Sequence, residues 1–176
     1  MKKNIFAACG LLALGLLSSA VMFAVHDRFF PPLLKAGENF PVVRLHLVRG
    51  DDTALAPSRR AFILYKSTCS HCQGTIHNLV KLYQLHAELA APPQGVTVEL
   101  VEIFGDGQRI PRERNVPFSV YKDENGDFMR AMKGSLVPYI LLVDKDNIVR
   151  YSHTGELSFE QEEKLFREFY QTGHIL

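Results

Sequence analysis

Two cysteines with two residues between them, Cys69 and Cys72, are the part of the sequence with the clearest chemistry. A thiolate is the species that attacks a disulfide, so a redox-active cysteine needs its negative charge stabilised. A helix N-terminus supplies free N–H groups and the positive end of the helix dipole. The spacing lets a single turn close a disulfide. The pair predicts thiol–disulfide exchange, with Cys69 as the nucleophile and Cys72 as the more buried resolving thiol.

The residues around the pair place it between a strand and a helix. Ala61–Tyr65 is a continuous apolar run, which predicts a strand buried on both faces. After the cysteines, an apolar face at helical spacing predicts a helix to about Ala90, formed by Ile76, Leu79, Val80 and Tyr83. Cys69 therefore lies where the strand ends and the helix begins.

Three residues near the cysteines are predicted to act with them. His71 adds positive charge or a hydrogen bond beside the Cys69 sulfur, which stabilises the reduced form and predicts a mildly oxidising or isomerase-like couple. Thr68 and Ser70 flank Cys69 and are predicted substrate contacts.

Other uses of a cysteine pair fit the sequence less well. A structural zinc site needs four ligands, and no second pair stands at zinc-finger spacing, so His77 and His86 are interpreted as helix-surface residues. Covalent haem would need a histidine where Gln73 stands. A structural disulfide closing so short a loop would stabilise little. We therefore predict no cofactor and no metal.

The chain from about Glu38 onward has the pattern of an α/β protein, because short apolar runs alternate with helical ones. Strands are predicted at Val42–Val48, Ala61–Tyr65, Val96–Phe104, Phe118–Tyr121, Tyr139–Val143 and Ile148–His153. Besides the helix after the cysteines, a short helix is predicted near Phe128–Lys133, and a last helix begins at Ser158 with a capping box to Gln161.

The N-terminus has the pattern of an export signal. Lys2 and Lys3 precede Ile5–Val25, a run of 21 residues without a charge, which spans roughly 32 Å as a helix. This is interpreted as an uncleaved membrane anchor, with a cleaved signal peptide ending near Ala20 and a buried core helix as the alternatives. Residues 1–25 are thus the anchor or signal, 26–37 a linker and 38–176 the domain. The lysines predict a bacterial inner-membrane protein whose domain faces the periplasm, or a periplasmic protein if the signal is cleaved.

Composition excludes one class of function. The chain has 176 residues and a formal charge of +1, without the clustered basic residues of a nucleic-acid-binding domain. We expect a single, monomeric domain that binds no nucleic acid.

Two motifs resemble the thioredoxin superfamily, most closely its membrane-anchored TlpA-like and ResA-like oxidoreductases. They are Cys69-Ser-His-Cys72 after a buried strand, and Val137-Pro138-Tyr-Ile-Leu-Leu-Val-Asp144. The resemblance implies a thioredoxin-like fold: a central mixed β-sheet flanked by helices, with a βα-type insert between the cysteine helix and the proline strand. It also implies that Pro138 is cis and faces the cysteines, and that Val137 contacts substrate. The implied partners are a cysteine-containing protein substrate and a redox partner protein.

The chain departs from that superfamily around the second cysteine. Thr68 replaces the usual Trp, Ile63 stands where thioredoxins bury an acid, and Thr75 stands where ResA-like proteins carry one. The proton acceptor for Cys72 is therefore unidentified. Glu102, on the neighbouring strand, is a candidate, but the competing interpretation, an exposed glutamate at a strand end, is favoured.

Two further functions remain alternatives. A copper-binding module would use Cys69, Cys72 and a distant histidine such as His153, although copper-delivery relatives space their cysteines by three residues. A redoxin-type peroxidase is suggested only by Ser67-Thr68 ahead of Cys69.

Overall fold

The computed structural model describes residues 33–41, 43–49, 59–87, 95–103, 116–134 and 136–173. Its strands are β1 (His46–Arg49), β2 (Arg59–Tyr65), β3 (Val96–Ile103), β4 (Ser119–Asp123), β5 (Tyr139–Val143) and β6 (Val149–Thr154). Its helices are α1 (Ser70–Leu85), α2 (Asp127–Ala131) and α3 (Phe159–Thr172). The predicted segments 1–25 and 26–32 lie outside the described residues.

The strands form one mixed sheet in the order β1-β4-β3-β2-β5-β6. Strand β2 lies near its centre, parallel to β3 and antiparallel to β5. Its register pairs Leu64 with Tyr139, which brings Pro138 to the sheet edge where β2 ends and the cysteine loop begins. This central position explains why β2 reads as a continuous apolar run, since both of its faces are buried.

Two hydrophobic cores cover the two faces of the sheet. The cysteine-side core lies under α1 and α3 and contains Cys72, Ile76, Leu79, Phe166 and Phe169. The opposite core lies under α2 and contains Leu34, Phe62, Phe128 and Tyr139. This is the α/β arrangement with a thioredoxin-like fold that the sequence predicted, and β4 with α2 forms the predicted insert.

The edges of the predicted elements need correction. The strand predicted at Val42–Val48 begins at Val42, which lies outside the described residues. Its described part pairs only from His46, in a short ladder with β4 that extends to Arg49 and shifts register after Leu47. Val43 and Leu45 nevertheless pack on the opposite core, which accounts for the alternating pattern. Helix α1 ends at Leu85, earlier than predicted, with His86 as its C-cap.

The compact unit begins at Leu33, so it includes residues 33–37 of the predicted linker. Leu34 is buried, and the Gly37 N–H donates to the Val149 carbonyl. The last helix begins as predicted: the Ser158 side chain accepts from the Gln161 N–H, and the Gln161 side chain accepts from the Ser158 N–H. No helix among the described residues is both long and apolar enough to span a membrane.

Candidate active site

Cys69 occupies the N-cap of α1, directly after the turn that leaves β2. Its Sγ accepts a hydrogen bond from the Cys72 N–H at 3.3 Å, and its own N–H donates to the Lys66 carbonyl. At this position the sulfur lies at the N-terminal end of the helix dipole and binds one of the otherwise unpaired backbone N–H groups of the first turn. Cys69 is half-buried, so its sulfur combines access with stabilisation.

Cys72 lies one turn further along and is fully buried in the cysteine-side core. Burial raises the pKa of the Cys72 thiol, and hydrogen bonding with Cys69 raises it further. Both cysteines are free thiols in this structure. The two sulfurs therefore differ in the way that separate nucleophile and resolving roles require.

The residues next to the cysteines are exposed. Thr68, Ser70 and His71 all lie at the surface. The His71 imidazole contacts a carboxylate from the other end of the chain, with Nδ1 2.6 Å from Glu156 Oε2. Glu156 could not be predicted from the sequence, because nothing in the local sequence links it to a histidine 85 positions earlier.

The proline predicted to face the cysteines follows a cis peptide bond, Val137–Pro138, as the resemblance implied. Val137 is partly buried and packs on both cores, the cysteine-side core among them. The Pro138 carbonyl accepts from the Gly155 N–H, which attaches the loop after β6 to this corner. Beside them, Leu136 is 51% exposed and offers an apolar surface that the sequence analysis missed.

Glu102 is buried, not exposed at a strand end as the competing interpretation had it. It pairs with Tyr65 across β2 and β3 and shares the α1 side of the sheet with it. Burial raises the pKa of Tyr65, and the nearby charges of Glu102 and Cys72 raise it further. Glu102 thus lies beneath the cysteine helix, whereas Thr75 is buried one turn beyond Cys72.

A second buried acid, Glu162, lies between α1 and α3 and was also missed. Burial raises its pKa to about 8, Asn78 opposes the shift, and the charge of Glu156 adds to it. In the sequence Glu162 has the ordinary place of an acid in the first turn of a helix, so only the packing of α3 reveals its burial.

The residues that could bind metal remain apart. Among the described residues, no group of three or more His, Cys, Asp and Glu side chains is arranged to hold a metal ion. His153 lies on β6, half-buried, where burial lowers its pKa.

The chain is similar to solved structures of thioredoxin-like proteins. The protein assigned as thiol:disulfide interchange protein DsbE from Chlorobium tepidum is 20% identical, with a TM-score of 0.61, over 78% of this chain and 97% of that one. An uncharacterised thioredoxin-like protein from Porphyromonas gingivalis is 26% identical, with a TM-score of 0.60, over 77% and 94%. A secreted disulfide oxidoreductase from Mycobacterium tuberculosis is 13% identical, with a TM-score of 0.54, over 68% and 87%.

No protein-family model and no curated protein sequence matches the chain. The comparisons establish the thioredoxin-like fold, and thiol-disulfide oxidoreductases recur among the structures that share it.

Proposed function

We propose that this protein is a thiol-disulfide oxidoreductase that acts on protein cysteines outside the cytoplasm, through a Cys69/Cys72 dithiol–disulfide couple. The observation that carries the proposal is the N-cap position of Cys69, whose sulfur accepts the Cys72 N–H, with Cys72 buried behind it. An inert pair would need neither a half-buried, accessible cysteine nor the helix N-terminus.

The reaction follows from the unequal surroundings of the two sulfurs. The Cys69 thiolate attacks one sulfur of a substrate disulfide, and the other substrate sulfur leaves as a thiolate. Cys72 then loses its proton and attacks the Cys69 sulfur, which releases the second substrate thiolate. The substrate gains two electrons, and the cysteine pair becomes a disulfide. A redox partner protein restores the dithiol, and the reverse sequence oxidises a substrate dithiol.

The substrate is proposed to lie across the corner formed by the loop that carries Cys69 and the loop that carries Val137 and Pro138. Thr68 and Ser70 are exposed directly before and after Cys69, and Val137 with Pro138 lies at the same edge of the sheet. The exposed Leu136 adds an apolar contact. Such a surface suits an extended, cysteine-containing segment of a protein.

The location is proposed from the N-terminal sequence. Lys2 and Lys3 ahead of Ile5–Val25 favour an anchor, or a cleaved signal, with the domain on the periplasmic side. The secreted neighbour from Mycobacterium tuberculosis is consistent with such a location.

Trapping tests the proposal directly. The sequence has a third cysteine, Cys9, in the apolar N-terminal segment, and serine replaces it so that it forms no disulfide of its own. In this full-length Cys9→Ser background, Cys72→Ser should hold partner proteins as stable mixed disulfides because the resolving thiol is gone. The matched variant Cys69→Ser should trap none, and only the parent should reduce insulin. Trapping by Cys69→Ser instead would reverse the roles.

A metal titration separates the copper-binding alternative. Reduced protein would be titrated with Cu(I) and with zinc beside the insulin assay. Tight stoichiometric binding that depends on His153, without insulin reduction, would replace the proposed function.

A further inference from the structure

The contact between His71 and Glu156 joins three segments around the cysteines. His71 belongs to the first turn of α1, and Glu156 follows Gly155, whose N–H donates to the Pro138 carbonyl. The His71 side chain is 72% exposed and that of Glu156 40%. The pair thus lies at the surface, immediately beside Cys72 in the sequence and beside the proline loop in space.

Gly74 provides the room that Glu156 occupies. A Cβ at this position would lie 2.2 Å from Glu156 Oε1, closer than any ordinary contact. A glycine inside a helix is less favourable than alanine by about 1 kcal/mol. Helix α1 therefore has a glycine at the position where a side chain would collide with the Glu156 carboxylate, although glycine lowers the helix propensity.

A hydrogen-bond donor near Cys69 acts on one redox state only. The reduced form has a free Cys69 sulfur that accepts such a bond, and the S–S bond of the oxidised form removes that acceptor. A donor free to approach this sulfur therefore stabilises the reduced form and makes the couple more oxidising. A carboxylate that engages the donor elsewhere diminishes this effect.

Building on the proposed function, we propose that Glu156 is a positioning residue for His71. Its carboxylate accepts the Nδ1–H and holds the imidazole at Glu156 instead of at the Cys69 sulfur. The Cys69–Cys72 couple is then more reducing than the Ser-His spacer by itself predicts.

The chain contains a matched control for this pair. His86 Nε2 lies 2.9 Å from Glu163 Oε1, so a second His–Glu contact connects the C-terminal end of α1 to α3. It lies at the opposite end of α1, where His86 is the C-cap, and Arg167 also binds Glu163. Glu163→Gln removes the same charge and the same kind of bridge at a distance from the cysteines.

The test is redox equilibration of the full-length protein with glutathione in detergent at neutral pH, in a Cys9→Ser background. We expect Glu156→Gln to shift the equilibrium constant toward the dithiol by about twofold to fivefold, the range of an exposed ion pair. Glu163→Gln should leave the constant unchanged. In a His71→Ala background, Glu156→Gln should lose more than half of its effect, because the imidazole that it releases is absent.

Three results would overturn the assignment: an unchanged constant in Glu156→Gln, an equal shift in Glu163→Gln, or the full shift without His71. Insulin reduction by the parent protein shows whether only the positioning role of Glu156 fails or the proposed function fails as well. A parent that reduces insulin while Glu156→Gln keeps its constant refutes the positioning role alone. A parent that exchanges with neither insulin nor glutathione refutes the proposed function itself.

Discussion

At the scale of single residues, the surroundings of each cysteine sulfur give the two cysteines different predicted roles. Cys69 and Cys72 are the same chemical group separated by one helical turn, yet one caps the helix and the other lies in the core. The first accepts a backbone N–H of the helix, and burial raises the pKa of the second.

This difference predicts the order of alkylation. After brief iodoacetamide treatment of the reduced, full-length protein at mildly acidic pH, Cys69 should be labelled well before Cys72, because burial raises the pKa of the Cys72 thiol. Peptide mass mapping reads both sites in one sample. Equal labelling would show that the two sulfurs do not have separate roles.

Glu102 is expected to accept the Cys72 proton, because it is buried on the cysteine side next to Tyr65. Glu102→Gln should slow the release of a Cys69 mixed disulfide by about tenfold or more, as loss of a general base does. Glu99→Gln is the control, since Glu99 is buried on the same strand but on the opposite face of the sheet. Stopped-flow release of a labelled peptide measures both, and equal rates would leave the proton acceptor unassigned.

At the scale of elements, α1 meets both α3 and the segment that leads from β6 into α3. Gly74 and Glu156 meet there, and so do Asn78 and Glu162. These contacts predict two effects that the single elements would not show.

Gly74→Ala should separate helix stability from redox behaviour. The helix gains up to about 1 kcal/mol of propensity, while the new Cβ displaces the flexible end of Glu156. Chemical unfolding should therefore show unchanged or increased stability, and the glutathione equilibrium should shift toward the dithiol as in Glu156→Gln. A stable variant with an unshifted equilibrium would contradict the account of Gly74.

Glu162 should make the domain less stable as pH rises. Its pKa is raised by burial to about 8 in the folded protein, whereas an unfolded glutamate titrates near 4.3. The folded state therefore binds this proton more tightly, and the associated stability is complete below about pH 4 and is lost as pH rises through about 8.

Glu162→Gln removes that dependence. Between about pH 4.5 and 7 the parent should lose on the order of 3 kcal/mol more than Glu162→Gln does. Urea unfolding at several pH values measures the difference, with Glu168→Gln on the same helix as the control. Parallel pH profiles of parent and Glu162→Gln would show that the carboxyl is not strained by burial.

At the scale of the whole molecule, the redox site is one corner of a domain that is otherwise packed on both faces of its sheet. We propose that the N-terminal segment, which lies outside the described residues, brings this site to the compartment of its substrates.

The segment Ile5–Val25 should keep the full-length protein in the membrane fraction after carbonate washing, because its apolar length matches a hydrocarbon core. Protease added to spheroplasts should digest the domain, which tests the predicted periplasmic side. A soluble product whose first residue is Val21 would instead establish the cleaved signal.

Local patterns in the sequence are enough to predict the class of fold, and they single out Cys69 and Cys72 as the candidate redox pair. The spacing of apolar residues and the length of apolar runs predict β2, α1 and β5, because the residues that form each pattern are close neighbours in the chain. The capping box at Ser158 is equally local and is confirmed. The cysteine spacing and the Val137–Pro138 motif likewise need no distant partner.

Only the tertiary structure decided which distant residues join the site. Glu156, Glu102 and Glu162 are ordinary surface-type residues in the sequence, and long-range packing alone places them beside or beneath the cysteine helix. Electrostatic effects depend on distance and burial, and neither quantity can be obtained from residue types separated by tens of positions. The histidine that the sequence assigned to Cys69 accordingly lies against a carboxylate that only the folded chain brings to it.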